Sequence, residues 1–370
     1  MTSFENPVPT FMTGGPSAMI QSVTRQRPTA TIETLTSIWK RVLNLPQISV
    51  DYNFFDLGGD PSAAIKLFTE IAKRCGRELP PFTIYHAPTI RAMTALLEQP
   101  TTPRFSPLVM LKAGSKEPPV FIAHGLGGSV LELFQLIANI ESRHPMYGLE
   151  SRGSDGVSGQ FTRVEDMAQF YIDAIRDLQP RGPYLLIGYS FGGLVALEIA
   201  QRLSETGEKV ALLAMLDTYP HVRYLPLRQR VRLALQRTKF RALSLMQLPR
   251  RAAFPNIVER LSRTLHISRD RTGAPVPALI GESLTPPTQR LRDTDYRAWT
   301  SYRPRFYRGK IKFVRAQKCT EFPDDPTEVW ADLAAEFEVE TVPGDHRGIL
   351  SMHSEDLAAV LSGYLREASR

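Results

Sequence analysis

Residues 184–193 read Tyr184-Leu185-Leu186-Ile187-Gly188-Tyr189-Ser190-Phe191-Gly192-Gly193, and their reading decides the fold. An apolar run of strand length ends at a glycine, and a helical pattern follows over 194–203. Between the two stands Gly-x-Ser-x-Gly, the pattern of a sharp strand-to-helix turn. The glycines permit crowding that side chains would block, so the turn lifts the Ser190 hydroxyl above the sheet at a helix N-terminus. The five-residue pattern alone is an ordinary Gly/Ser turn. The strand before it and the helix after it give it chemical meaning.

The same alternation extends outward. Short apolar runs occur over 119–123, 146–149, 209–216, 310–315 and 337–342, with helical patterns over 165–178 and 355–365. Strands alternating with helices imply a mostly parallel sheet covered on both faces, an α/β fold. One segment interrupts the pattern, over about 220–300. Between His221 and Arg271 it holds thirteen Lys or Arg against Glu259 and Asp270, a local charge of +11. The whole chain is +7, so the remainder is mildly acidic and a globally basic nucleic-acid binder is excluded. Leu227, Val231 and Leu235 recur every four residues there, which predicts amphipathic helices inserted after one strand.

A serine hydroxyl is a weak nucleophile and needs a base. His346, in Val342-Pro343-Gly344-Asp345-His346, follows the last apolar run and precedes the final helical pattern. His353 is nearby but falls at the start of that helix. The supporting acid is expected between Ser190 and His346 in the chain. Asp217 ends the run 209–216 at the carboxyl edge of the sheet, where sites form; Asp324 and Asp325, after the next run, are its rivals. The acid would hold the His346 tautomer and stabilise the imidazolium. Two N–H donors are needed for a developing oxyanion. The backbone N–H of Phe191 is one. The N–H of Leu126, in the glycine loop His124-Gly125-Leu126-Gly127-Gly128 after the first run, is the other. His124 admits a purely structural reading.

The chain has 370 residues, 42% hydrophobic and 22% charged, a globular composition with room for one or two domains. Cys75 and Cys319 are its only cysteines, too few and too far apart for a disulfide framework or a metal site. With no signal peptide and no run of membrane-spanning length, a cytoplasmic protein without metal is expected. Residues 1–29 lack periodicity and read as a flexible lead. Residues 30–99 carry three short helical patterns, over 32–43, 63–71 and 89–97. Residues 100–117 read as a linker, and 118–370 as the α/β domain.

Together these residues resemble the thioesterase domain that ends nonribosomal peptide and polyketide synthases, a branch of the α/β-hydrolases. The resemblance runs over 119–366. It rests on the His-Gly-x-Gly-Gly loop, Gly-Tyr-Ser-Phe-Gly-Gly, Leu-Leu-Ala-Met-Leu-Asp ending at Asp217, Tyr302-Arg303-Pro304 and Pro-Gly-Asp-His. It implies an α/β-hydrolase fold with a helical lid, the acid at Asp217, and no cofactor for catalysis. Residues 31–98 resemble a peptidyl or acyl carrier domain, a four-helix bundle, on Asn53-Phe54-Phe55-Asp56-Leu57-Gly58-Gly59-Asp60 and His86-Ala87-Pro88-Thr89-Ile90. In that family a carrier directly precedes a terminal thioesterase, and a serine after Gly-Gly-[Asp/His] bears 4′-phosphopantetheine. This chain departs there: Pro61 holds the serine position and Ser62 follows. Two outcomes stay open, an unmodified carrier-like domain or an arm on Ser62.

The resemblance implies release of acyl or peptidyl chains from carrier domains. No adenylating, condensing or ketosynthase domain fits in 370 residues, so carriers supplied in trans are the expected partners. The basic segment reads as a solvated helical surface or as a docking patch for an acidic carrier, rather than as a nucleic-acid site. The competing readings are a general serine esterase and a non-enzymatic docking protein.

Overall fold

The computed structural model describes residues 32–77, 79–99, 106–127, 129–153, 159–235, 286–318, 322–323 and 325–369. The lead over 1–29, residues 236–285 of the basic segment and Asp324 lie outside the described residues, with the expectations placed on them.

The N-terminal unit is helical: α1 (Ile32–Leu43), α2 (Pro61–Cys75), the single turn α3 (Thr83–His86) and α4 (Ile90–Glu98). α1 turns Leu35, Ile38 and Trp39 inward, the three- and four-residue spacing of one helical face. Asp60 caps α2, its carboxylate accepting the Ala63 N–H at 2.7 Å. Pro61 takes the first helical position, where a missing N–H loses no bond. Gly76, at φ 64°, closes the helix in the left-handed region. Trp39 and Phe54 meet edge to face at 5.2 Å in the core of the unit.

The second unit is a seven-stranded sheet. Its strands are β1 (Leu108–Lys112), β2 (Val120–Ala123), β3 (Met146–Leu149), β4 (Tyr184–Tyr189), β5 (Val210–Leu216), β6 (Tyr307–Lys318) and β7 (Ala334–Asp345). Their order is β1-β3-β2-β4-β5-β6-β7, parallel throughout except for β1, which runs antiparallel on β3. Helices α5 (Phe134–Asn139), α6 (Val164–Leu178), α7 (Phe191–Glu205), α8 (227–235), α9 (Pro286–Ser301) and α10 (Ser354–Ala368) accompany it. Alternate residues of each central strand serve opposite faces. Leu185, Ile187, Leu212 and Ala214 join the core under α5 and α10, while Tyr184, Leu186, Leu213 and Met215 join the core under α6 and α7.

Two expectations need correction. Residues 100–117 are not all linker, because β1 lies inside that stretch. Only Val109 of β1 is fully buried, and its place depends on pairing with β3, so no strong local pattern marks it. The Leu227, Val231, Leu235 repeat is helical, but all three side chains are exposed, and Gln229 and Leu233 are the buried positions of α8.

The two units touch. α3 lies against β1, and Phe55, itself packed on Tyr85 at 5.0 Å, stacks on Phe134 of α5 with ring centroids 4.6 Å apart. Their buried side chains form one continuous cluster. No described helix is long and apolar enough to cross a membrane.

Register positions the site. Ala123 at the end of β2 pairs with Gly188, and Tyr189 pairs with Leu216 at the end of β5. The residues that follow, the glycine loop at 124–127, Ser190 and Asp217, therefore leave the sheet side by side at its carboxyl edge.

Candidate active site

Ser190 sits between β4 and α7 at φ 54°, ψ −120°, a positive φ that side chains rarely adopt. Neighbouring backbone enforces it. The Ser190 N–H donates to the Leu216 carbonyl at 2.8 Å, and the Gly193 N–H donates to the Ser190 carbonyl at 3.1 Å. A Cβ on Gly188 would lie 2.5 Å from the Gly193 Cα, and one on Gly192 would lie 2.5 Å from the Ala123 carbonyl oxygen. Only glycine lets the first turn of α7 pack this closely on β2 and β4.

The structure brings the three expected side chains into one relay. His346 Nε2 lies 2.9 Å from Ser190 Oγ, and His346 Nδ1 lies 2.7 Å from Asp217 Oδ2. In the tautomer that serves both contacts, Nδ1–H donates to the carboxylate and Nε2 accepts the serine proton. Asp217 is 1% exposed and also sits at a positive φ, 45°. Its other oxygen accepts the Ala316 N–H at 3.2 Å, and its own N–H donates to the Val314 carbonyl at 2.7 Å. The acid is thus fixed by β6 on one side and satisfied by His346 on the other.

Two aromatic rings pack against the imidazole. Tyr189 stacks on it at 5.0 Å and 22°, and Phe322 packs against it at 4.8 Å. The Tyr189 hydroxyl donates to the His346 carbonyl at 2.8 Å, tying the loop after β7 to β4. Asp325 and His353 make local contacts instead. Asp325 accepts the Thr327 N–H at 2.8 Å, a helix-capping contact, and His353 Nδ1 meets Asp356 at 3.3 Å at the start of α10.

The two backbone N–H groups expected to receive an oxyanion lie in neighbouring segments. Phe191 opens α7, so its N–H has no partner from a preceding turn. Leu126 lies in the glycine loop packed beside that turn. His124 is buried, with Nδ1 2.7 Å from the Gly125 carbonyl and Nε2 3.0 Å from the Tyr171 hydroxyl. Desolvation pushes its pKa down to about 4, so it is a neutral ring that braces the loop.

Two acids at the site carry no motif in the sequence. Glu132, in the short helical turn Val130–Leu133, accepts the Gly125 N–H. Desolvation of its carboxyl pushes its pKa up to about 7. Asp295, on α9 and 1% exposed, accepts the Gly127 N–H at 3.0 Å; burial pushes its pKa up to about 8. The Tyr302 hydroxyl, one residue beyond α9, donates to Glu198 of α7 at 3.0 Å and so ties the end of α9 to the helix that carries the nucleophile turn.

The thioesterase domain family model matches residues 118–364. The chain belongs to the thioesterase domain family. A phosphopantetheine attachment site model matches residues 33–97, so a carrier-type unit precedes the thioesterase domain. A dimodular nonribosomal peptide synthase of Bacillus subtilis (strain 168) is 37% identical over 198 residues, 53% of this chain and 8% of that protein. Malpibaldin synthetase of Mortierella alpina is 29% identical over 302 residues, 80% of this chain and 5% of that protein. The chain therefore spans under a tenth of the length of these relatives. A crystal structure of a four-domain nonribosomal peptide synthetase bound to AMP and glycine superposes with a TM-score of 0.54 at 21% identity, covering 96% of this chain and 27% of that one. This likeness concerns the fold alone.

The carrier-type unit holds no hydroxyl where the resemblance places the attachment serine. Pro61 is there, inside the first turn of α2, and Ser62 is exposed one residue along. One residue along a helix rotates a side chain by about 100°. Pro61 offers no hydroxyl for a phosphopantetheine arm, and Ser62 is the exposed hydroxyl beside it.

Proposed function

We propose that this chain off-loads acyl or peptidyl groups from phosphopantetheine carriers in nonribosomal peptide or polyketide biosynthesis, through an acyl-enzyme on Ser190. The observation that carries the reading is the unbroken relay from Ser190 Oγ to His346 to Asp217, at 2.9 and 2.7 Å, in a thioesterase domain that follows a carrier-type unit.

His346 Nε2 takes the Ser190 proton as Oγ attacks the thioester carbonyl. The carbonyl oxygen gains negative charge, and the N–H groups of Leu126 and Phe191 receive it. The tetrahedral adduct collapses by breaking the C–S bond. A thiol of pKa about 8.5 leaves with little help, and the proton on His346 is available to it. The acyl-enzyme is then attacked by water, or by an amine or hydroxyl of the bound chain. His346 removes the attacking group's proton and returns it to Ser190. Asp217 holds the ring in the tautomer that both half-reactions need and offsets its positive charge.

Pro61 supports a carrier other than residues 32–98 as the source of the thioester, with this unit as a docking module. Two measurements test the proposal. Turnover of an acyl-pantetheine thioester is compared with that of the matched oxygen ester. A preference for the thioester supports the reading, and a preference for the oxygen ester would favour a general esterase. Intact mass after treatment with coenzyme A and a phosphopantetheinyl transferase is expected to show no added arm. An arm on Ser62 would place the carrier within this chain.

A further inference from the structure

The loop that supplies Leu126 is glycine-rich, and Gly127 sits at φ 112°, so its chain chemistry leaves several orientations open to its peptide planes. Three consecutive planes are nevertheless tied down. The plane joining His124 to Gly125 is held through its N–H by Glu132. The plane joining Gly125 to Leu126 is held through its carbonyl by the His124 ring at 2.7 Å. The plane joining Leu126 to Gly127 is held through its N–H by Asp295 at 3.0 Å. In a trans peptide the N–H points opposite to the carbonyl. The middle plane therefore sends its Leu126 N–H away from the His124 ring, and that N–H donates to no group among the described residues. The flanking amides are consumed by carboxyl groups, and the one between them is left unclaimed.

We propose that Asp295, reaching from α9 across 168 residues of chain, is a positioning residue for acyl transfer: with Glu132 it fixes the peptide planes on either side of the one that carries the Leu126 N–H and so aims that N–H at the developing oxyanion. A loop brace alone needs only one of the two carboxyl oxygens. The other, Oδ1, is buried and has no hydrogen-bond partner among the described residues. Asp295 is near enough to feel the charge of Glu132, from the turn after the loop, and to act on Tyr171 of α6, the same tyrosine that holds the His124 ring. Asp295 thus holds the Gly127 side of the loop, as Glu132 holds the Gly125 side.

This inference rests on the thioesterase reading, and its test separates the two. The full chain, Asp295→Leu and Asp295→Asn are assayed with an acyl-pantetheine thioester, and each is checked by thermal melting. Leucine has similar bulk and no acceptor. A misaimed donor is expected to lower kcat by about 10–100-fold while KM stays within about twofold, because the loss falls on the transition state. Asparagine still accepts the Gly127 N–H through its side-chain oxygen and is expected to recover most of that loss. Should Asp295→Leu not fold, Asp295→Ala carries the same expectation. A folded Asp295→Leu or Asp295→Ala with wild-type kcat overturns the positioning role and leaves the thioesterase reading standing. A loss confined to KM, or one that asparagine does not recover, also overturns it. A wild-type chain that turns over no thioester refutes the underlying reading instead.

Discussion

Gly192→Ala probes the nucleophile turn and the glycine loop with one methyl group. The added Cβ would stand 2.5 Å from the Ala123 carbonyl oxygen and closer still to that of His124. Ordinary contact begins near 3.4 Å, so the Ala123 oxygen alone asks for about 0.9 Å of separation between the first turn of α7 and the end of β2, and the His124 oxygen asks for more. Both partners are backbone, and neither can swing aside as a side chain would. Phe191 is the residue before Gly192, and Leu126 lies two residues beyond His124, so the separation falls directly between the two proposed oxyanion donors. A misplacement of about 1 Å can cost on the order of 10²-fold, and loss of one donor about 10²–10³-fold. The variant is expected to lose about 10²–10³-fold in kcat toward an acyl-pantetheine thioester, with about 1–3 kcal/mol of stability from overpacking. Gly363→Ala in α10 is the control, since a Cβ there meets nothing within 4 Å; it is expected to keep wild-type kcat and to melt no lower. Steady-state kinetics and thermal melts on both variants decide the matter. A folded Gly192→Ala with wild-type kcat would show that the donors do not depend on this contact, and the oxyanion assignment would fall.

Three other predictions follow from particular contacts. Asp217→Asn removes the charge beside His346 and offers Nδ1 an N–H in place of an acceptor, which favours the wrong tautomer; kcat is expected to fall by about 10³–10⁴ with KM little changed, and a loss under tenfold in steady-state assays would contradict the role. Asp295 has a folded pKa of about 8 against an ordinary 3.8, so the folded state holds a proton that the unfolded chain releases between those values. Its contribution to stability is complete below about pH 3.8 and is lost as pH rises through about 8; Asp295→Asn should therefore melt higher than wild type at pH 9, the gap closing toward pH 5, and a gap constant with pH would contradict the burial argument. Phe55→Ala removes a ring stacked at 4.6 Å on Phe134 across the two units, a contact worth about 0.5–1.5 kcal/mol beyond area; proteolysis between residues 99 and 106 should accelerate, and an unchanged cleavage rate would show that the stack does not hold the two units together.

Much of this arrangement was legible in the residues. The turn at 188–193 was readable because its chemistry is local: a strand, glycines at the crowded positions and a helix follow one another in the chain. Asp217 and His346 were readable as the ends of strands on the same edge, once the sheet was inferred. β1 was not, because a five-residue edge strand with one buried side chain has meaning only beside β3. α8 showed its period but not its inward side, since Leu227, Val231 and Leu235 face out while Gln229 is buried. Glu132 and Asp295 left no pattern because each meets a backbone N–H, seven and 168 residues away, and backbone groups carry no sequence signature.

The most direct test of the account is covalent capture. The full chain is mixed with an acyl-pantetheine thioester, quenched within one turnover and weighed intact, then digested to find the modified peptide. The account predicts one acyl group on Ser190, absent from Ser190→Ala, which should also lose thioester turnover. An acyl group on another residue, or turnover that persists in Ser190→Ala, would contradict it.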